Sequence, residues 1–266
     1  MLRAKKERVW RNIHPLLDQG KLISPDLSPM KMRTNTLLGT AAIPNNGGEL
    51  RFYQRGEDFA IEVVGIDGDL MNSAVHGSEE LLAEMALKRL ASPLTARVLV
   101  GGLGMGFTLR AALKHTGSKS QVVVAELVPE VIEWNKGPLG EKAGNPMQDP
   151  RALVREGDVA VIIRERKEAY DTILLDTDNG PEGLTQNDNR KIYSTAGIRA
   201  IHDCLRPGGV LAVWSTHPDK PFSRRLGMGG FRVEEVQVPA TGTKGTRHTL
   251  WFAKKLPPER KGPQRR

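Results

Sequence analysis

RVLVGGLGMGFTLRAALKH, Arg97–His115, is the stretch whose reading decides the fold. Val98–Val100 is an apolar run without polar interruption, the mark of a strand buried on both faces. Four glycines follow within six residues, Gly101, Gly102, Gly104 and Gly106, and a helical stretch runs from Phe107 to His115. Strand, glycine turn and helix make the opening of a doubly wound unit, and the same alternation continues down the chain. QVVVAE (Gln121–Glu126) reads as a strand, with a helix starting at Pro129. RALVREGD (Arg151–Asp158) reads as a third strand, followed by a helical Val159–Arg166, and DTILLD (Asp171–Asp176) as a fourth. A helix over Ala196–Leu205 stops at RPGG, and GGVLAVWS (Gly208–Ser215) is the next strand. Two late runs, Arg232–Val238 and His248–Lys254, form a terminal antiparallel hairpin. The expected class is α/β with a mostly parallel, Rossmann-like sheet.

Upstream, Thr36–Ile43, Glu49–Gln54 and Phe59–Val64 are strand-like and separated by turns, and a further turn at Ile66–Asp69 precedes Leu70–Asn72, which predicts a small antiparallel β unit. Ser78 is placed to cap a helix from Glu79 to about Leu90. The expected organisation is a basic arm over 1–35, with a short helix around Val9–Leu17, then a β domain over 36–75. A nucleoside-binding domain over 76–255 and a basic tail over 256–266 complete it. The net charge of +8 sits in the end segments: 1–35 and 254–266 carry +5 each, leaving −2 between them. Such ends read as solubilising tails; a grip on nucleic acid is the sharper alternative, without aromatic interleaving to support it. No apolar stretch is long enough for a membrane span, the start has no signal-peptide pattern, and Cys204 is the single cysteine. A cytoplasmic protein with neither disulfide nor zinc cluster is expected.

In doubly wound sheets ligands bind beyond the carboxyl ends of the strands. The glycine loop, with Gly102, Gly104 and Gly106, offers close backbone approach and helix N–H groups. Phe107 stands where a dinucleotide fingerprint needs its third glycine, so the GxGxG spacing fits an adenosyl amino acid better than a pyrophosphate. Glu126, ending the second strand, can accept ribose hydroxyls or stand as a solvated acid. Gly157 and Asp158 end the third strand; Asp158 can accept from an adenine amino group, cap the following helix, or do both. Asp176 ends the fourth strand, where a carboxylate can hold an amine or take its proton. Asp178 is a second anchor or an Asx-turn residue. His76, Glu79 and Glu80 are candidates on the acceptor side, against the ordinary reading of a solvated helix face.

With these features in order, the chain resembles the spermidine synthases, the polyamine aminopropyltransferases, from about Gly48 to Val238. The resemblance runs through the IDGD turn (Ile66–Asp69), HGSEELLAEMAL (His76–Leu87), VLVGGLGMG, VVVAELVPEVIEWNKGPL (Val122–Leu139), REGD, YDTILLDTDNGPEG (Tyr170–Gly183) and LRPGGVLAV (Leu205–Val213). It implies a class I methyltransferase-type domain behind a β domain, and a homodimer assembled through that β domain. It also implies S-adenosylmethionine or its decarboxylated form as co-substrate without a metal, and an amine or polyamine acceptor. Glu126 would bind ribose, Asp158 adenine, and Asp176 would be the catalytic carboxylate. The departures are local. The family's glycine loop carries an Asp, in the pattern GGGDG, that holds the aminopropyl ammonium; this loop has no acid. Met71 stands for a glutamine, Ser78-Glu79 for a Tyr-Gln or Tyr-His pair, and the loop after Asp176 is one residue short. A loop of bare N–H groups without its Asp leans toward the intact donor, whose carboxylate it would welcome. Aminopropyl or methyl transfer is therefore expected, with a non-catalytic nucleoside binder and a nucleic-acid methyltransferase as alternatives.

Overall fold

The computed structural model describes residues 35–177, 181, 189–240 and 246–257. Asp178, the basic arm with its expected helix at Val9–Leu17, and residues 258–266 of the tail lie outside them. β1 (Asn35–Ile43), β2 (Gly48–Arg55), β3 (Asp58–Val63) and β4 (Asp69–Asn72) form an antiparallel meander in sequence order. The chain then runs through α1 (Gly77–Leu87), β5 (Arg97–Gly101), α2 (Phe107–Lys114), β6 (Gln121–Glu126), α3 (Pro129–Lys136) and α4 (Pro138–Ala143). After these come β7 (Ala152–Glu156), α5 (Val159–Arg164), β8 (Tyr170–Leu175), α6 (Asn189–Ile192) and α7 (Thr195–Cys204). β9 (Leu205–Ser215), α8 (Lys220–Met228), β10 (Phe231–Pro239) and β11 (Arg247–Lys255) close the fold.

The second sheet has the order β10-β11-β9-β8-β5-β6-β7. β9, β8, β5, β6 and β7 are parallel, while β11 runs antiparallel to both β9 and β10. This is the expected α/β architecture: a mostly parallel sheet with a terminal hairpin, behind a small antiparallel unit. The uninterrupted apolar strands divide their side chains by alternation. Val98, Val100, Val122, Val124 and Leu174 enter the core on one face; Leu99, Val123, Ile173 and Leu175 enter the core on the other. Removing each such side chain from water contributes about 1.5–3 kcal/mol before entropy is charged.

The small sheet shares the first of these cores through Leu50, Phe52, Ile61 and Val63. Phe52 stacks on Trp134 of α3 with ring centroids 5.0 Å apart. A Cβ on Gly39 would lie 2.9 Å from Trp134 Nε1, so β1 needs a glycine where it crosses that ring. Trp134 is thus a packing residue.

Two local expectations are corrected. Ser78 does not cap α1: the cap position is His76, which makes no side-chain cap bond, and Ser78 lies inside the first turn. Its hydroxyl is engaged instead by partners from the sheet. The strand expected to start at Gly208 starts earlier, at Leu205, the residue expected to end the preceding helix. Residues 205–207 belong to β9, where the register against β8 slips between Tyr170↔Leu205 and Thr172↔Val210. α8 was not foreseen. Its signature is local: Asp219 Oδ1 accepts from Phe222 N at 2.9 Å, and Phe222 and Leu226, four apart, are buried.

Candidate active site

β5 and β8 are neighbours at the point where the strand order reverses, and such a crevice is where doubly wound sheets take ligands. Gly102 leaves β5 with φ +87°, and a Cβ there would lie 2.7 Å from the carbonyl oxygen of Asp176. A side chain at 102 would therefore force the ends of the two strands apart. Gly104 and Gly106 also have positive φ, +51° and +85°, and Gly106 occupies the cap of α2. Asn135 holds the loop from behind, its Nδ2 donating to Gly104 O at 2.8 Å.

Glu126 is buried at the end of β6. Its carboxylate accepts from Leu103 N at 2.8 Å and Val128 N at 2.9 Å. Burial raises its pKa above the usual carboxylate value, and those amide bonds oppose the rise. Gly157 N donates to the Glu126 carbonyl at 2.7 Å, with φ +141°. Asp158 caps α5, one oxygen accepting from Ala160 N at 2.7 Å. These groups line one cleft with Gly102, Gly104, Asp176 and the apolar Val128, Val131 and Met71. The cleft takes in about 720 Å³ counted out to bulk solvent.

A second cleft of about 530 Å³ abuts the first, sharing Leu70, Met71, Gly104 and Asp176 with it. Glu79, Phe107, Thr108 and Trp214 line its far side. Asp176 thus stands where the two spaces meet. Thr108, in the first turn of α2, donates to Asp176 Oδ2 at 2.5 Å. Burial pushes the Asp176 carboxyl up to about 6 despite that bond. Burial first, and the charge of Asp176 second, push Glu79 up to about 7. Two acids in one cleft cannot both ionise cheaply, so the pair holds protons near neutrality.

This has a consequence for stability. Both acids have folded-state values above their unfolded ones, so the folded protein binds more protons between about pH 4 and pH 7. Their stabilising contribution is complete below that window and lost as pH rises through it. Glu79→Gln removes part of the loss. Its melting temperature should gain on the wild type between pH 5 and pH 8 by ~2–4 °C, the shift that about 1 kcal/mol produces in a domain of this size. Parallel melting curves would refute the pairing.

The other acceptor-side candidates are turned away. Glu80 is paired with Arg110, and His76 Nδ1 lies 2.8 Å from its Oε1, out of line for a hydrogen bond. His76 stacks on Phe107 at 4.0 Å. Neither His76 nor Glu80 borders either cleft. Residues on successive helix positions point about 100° apart, so only one of Glu79 and Glu80 can face the sheet. Thr108, Met71 and Trp214 are cleft residues that sequence reasoning did not assign to the site. For Thr108 the available signal was its place in the first turn after the glycine loop. Among the described residues no cluster of acids, histidines or cysteines could hold a metal ion, and no helix is long and apolar enough to cross a membrane.

The loop is also not bare. Gly102 N donates to Ala125 O at 2.9 Å, Leu103 N to Glu126, and Gly106 N to Leu103 O at 2.8 Å. These three amides are already used, so the loop has fewer N–H groups to offer a donor carboxylate than the sequence suggests.

Comparison with known proteins decides the family. The spermine/spermidine synthase domain profile matches residues 75–221, which holds every group of the two clefts except those from the small sheet. The chain belongs to the spermine/spermidine synthase family. Polyamine aminopropyltransferase 2 of Pseudomonas aeruginosa is 30% identical over 171 residues, 60% of this chain and 46% of that protein. The chain spans about half the length of the curated relatives it matches. Spermidine synthase from Thermotoga maritima shares the fold, with a TM-score of 0.65 at 20% identity over 82% of this chain and 72% of that one. A spermidine synthase in complex with the transition-state analogue AdoDATO aligns with a TM-score of 0.66 at 20% identity, covering 84% of this chain and 73% of that one.

Proposed function

We propose that the chain transfers the aminopropyl group of decarboxylated S-adenosylmethionine to an amine or polyamine. The observation that carries this reading is the meeting of two clefts at one carboxylate, Asp176. The first takes the nucleoside, with Glu126 on the ribose and Asp158 on the adenine through the oxygen not used in its cap. Gly102, Gly104 and Gly106 allow the backbone to lie against the sulfonium end. The second cleft takes the amine between Asp176 and Glu79. The acceptor nitrogen forms a bond to the carbon beside sulfur, the carbon–sulfur bond breaks, and its electrons neutralise the sulfonium. The proton left on nitrogen passes to the carboxylate pair. Positioning in line supplies most of the rate. Glu79 provides on α1 the negative charge that the loop lacks at Gly104. A donor carboxylate would face Asp176 and Glu79 with the amides of Gly102, Leu103 and Gly106 already engaged. Assembly into a homodimer through the small sheet belongs to the same reading, supported by Leu37 and Leu38, 50% and 42% exposed on its edge strand β1.

One observation favours a second reading. Gly104 and Met71, side by side where the clefts join, leave the floor there apolar, which suits methyl transfer from the intact donor. Calorimetric titration with each donor separates the two. The decarboxylated form should bind at least ~10-fold tighter, the discrimination expected for removing a carboxylate from an acidic cleft. The opposite preference would turn the search to methyl acceptors. Tight binding with no product from any diamine would reduce the chain to a nucleoside-binding relative.

A further inference from the structure

Ser78 is fully buried in the first turn of α1, and three groups converge on its hydroxyl, one from the adjacent Glu79 and two from distant strands. Trp214 Nε1, from β9, lies at 3.0 Å. Glu79 Oε2 lies at 2.7 Å and His248 Nδ1, from β11, at 2.8 Å. A serine hydroxyl has one proton to give and two lone pairs to receive, whereas an indole N–H can only donate. Trp214 therefore occupies one lone pair permanently. One proton and one lone pair remain for Glu79 and His248. All three bonds are satisfied only when one of these two donates to Ser78 and the other accepts from it.

That constraint leaves two arrangements. In one, neutral Glu79 donates its O–H to Ser78, and Ser78 donates to an unprotonated Nδ1. In the other, the Glu79 carboxylate accepts from Ser78, and Nδ1–H donates to Ser78. They differ by one proton, moved from Glu79 to His248 as both hydrogens shift along the chain. The carboxyl end opens into the acceptor cleft, which Glu79 shares with Asp176. The imidazole end is half-buried near the protein surface, with exposed His217 close enough to depress its protonation.

We propose that Glu79, Ser78 and His248 form a proton relay that carries the acceptor amine's proton from the cleft to the surface beside His217. This rests on the alkyl-transfer reading above. As nitrogen bonds to carbon, its proton goes to the Asp176–Glu79 pair. Glu79 passes a proton through Ser78 to His248 Nδ1, and the imidazolium releases its other proton, from Nε2, to water. One proton enters the chain and one leaves; Glu79 returns to its ionised form with His248 as the Nδ1–H tautomer, and the ring exchanges Nδ1–H for Nε2–H with water before the next turnover. The electrostatics point the same way. Burial and the charge of Asp176, with a smaller push from Glu80, hold Glu79 near 7. Burial and His217 hold His248 below the ordinary imidazole value. The imidazolium is therefore short-lived, as a conduit requires. Ser78 and His248 are positioning and relay residues that do not border the clefts.

The first test needs no turnover. Nitrogen NMR of the full chain reads the tautomer of His248 between pH 5 and pH 9. The relay requires a switch from Nε2–H to Nδ1–H as Glu79 ionises, and its disappearance in Glu79→Gln. A tautomer that ignores both pH and this substitution overturns the relay. The second test uses turnover. His248→Ala should lower kcat by ~10–100-fold, at the low end of what proton transfer contributes, with KM for both substrates nearly unchanged. Added imidazole should restore part of kcat. A purely structural His248 would lose activity that imidazole does not restore, and that result also overturns the relay. A wild type that transfers no alkyl group would sink the proposed function instead, while the tautomer measurement would still decide whether the proton chain exists.

Discussion

Asp176→Asn should lower kcat by ~10³-fold or more while leaving the dissociation constant for the donor nucleoside within about threefold, since a positioned proton acceptor contributes roughly 10²–10⁴-fold. The asparagine keeps the shape of the side chain, and its oxygen can still accept from Thr108, which holds Asp176 at 2.5 Å. It cannot take a proton, and it cannot offer charge to an ammonium. The nucleoside cleft reaches Asp176 only at its edge, so Glu126, Asp158 and the glycine loop should hold the donor as before. Rapid-quench assays paired with calorimetry measure both quantities. Wild-type turnover in the variant would remove Asp176 from the chemistry. Equal losses in binding and turnover would make it a binding residue alone.

Glu126→Gln should weaken donor binding by ~100-fold or more and cost about 1–3 kcal/mol of stability, the penalty for a buried donor left without an acceptor. Both carboxylate oxygens of Glu126 already accept backbone amides, from Leu103 on one side and Val128 on the other. Glutamine has only one acceptor oxygen. Its NH₂ group would be driven against one of those N–H groups, on the loop or at the entry to α3. The carboxylate thus both shapes the glycine loop and offers its remaining lone pairs to a ligand. Glu126→Asp, which keeps the charge but shortens the reach, should fall between the two. Calorimetry with the donor and chemical denaturation read the two effects separately. Unchanged affinity in the glutamine variant would show that ribose is not held at Glu126.

The succession of strands and helices and the places of Glu126, Asp158 and Asp176 were legible because their causes are local. An apolar run such as Val122–Val124 has to be a strand buried on both faces, and an acid at its end has to lie at the sheet's rim. Gly102 was legible for a related reason: only glycine tolerates its φ of +87° beside a neighbouring strand. The sequence also misled at particular points. The loop amides looked free because a sequence does not show that Leu103 N and Gly102 N are spent on β6. Ser78 looked like a cap because it has a capping residue's chemistry, yet its partners lie 136 and 170 residues away.

By itself, then, the chain determines an alternating fold, a glycine loop against a strand end, and one acid at the end of each of three parallel strands. Periodicity, backbone freedom and strand polarity are written into short windows. Tertiary structure alone decided that Glu79 faces Asp176 while Glu80 turns to Arg110, and that Ser78 meets Trp214 and His248. Those outcomes depend on the rotation at which α1 docks on the sheet. That rotation is set by packing against α2 and against β9 and β8 of the sheet, elements that lie further along the chain.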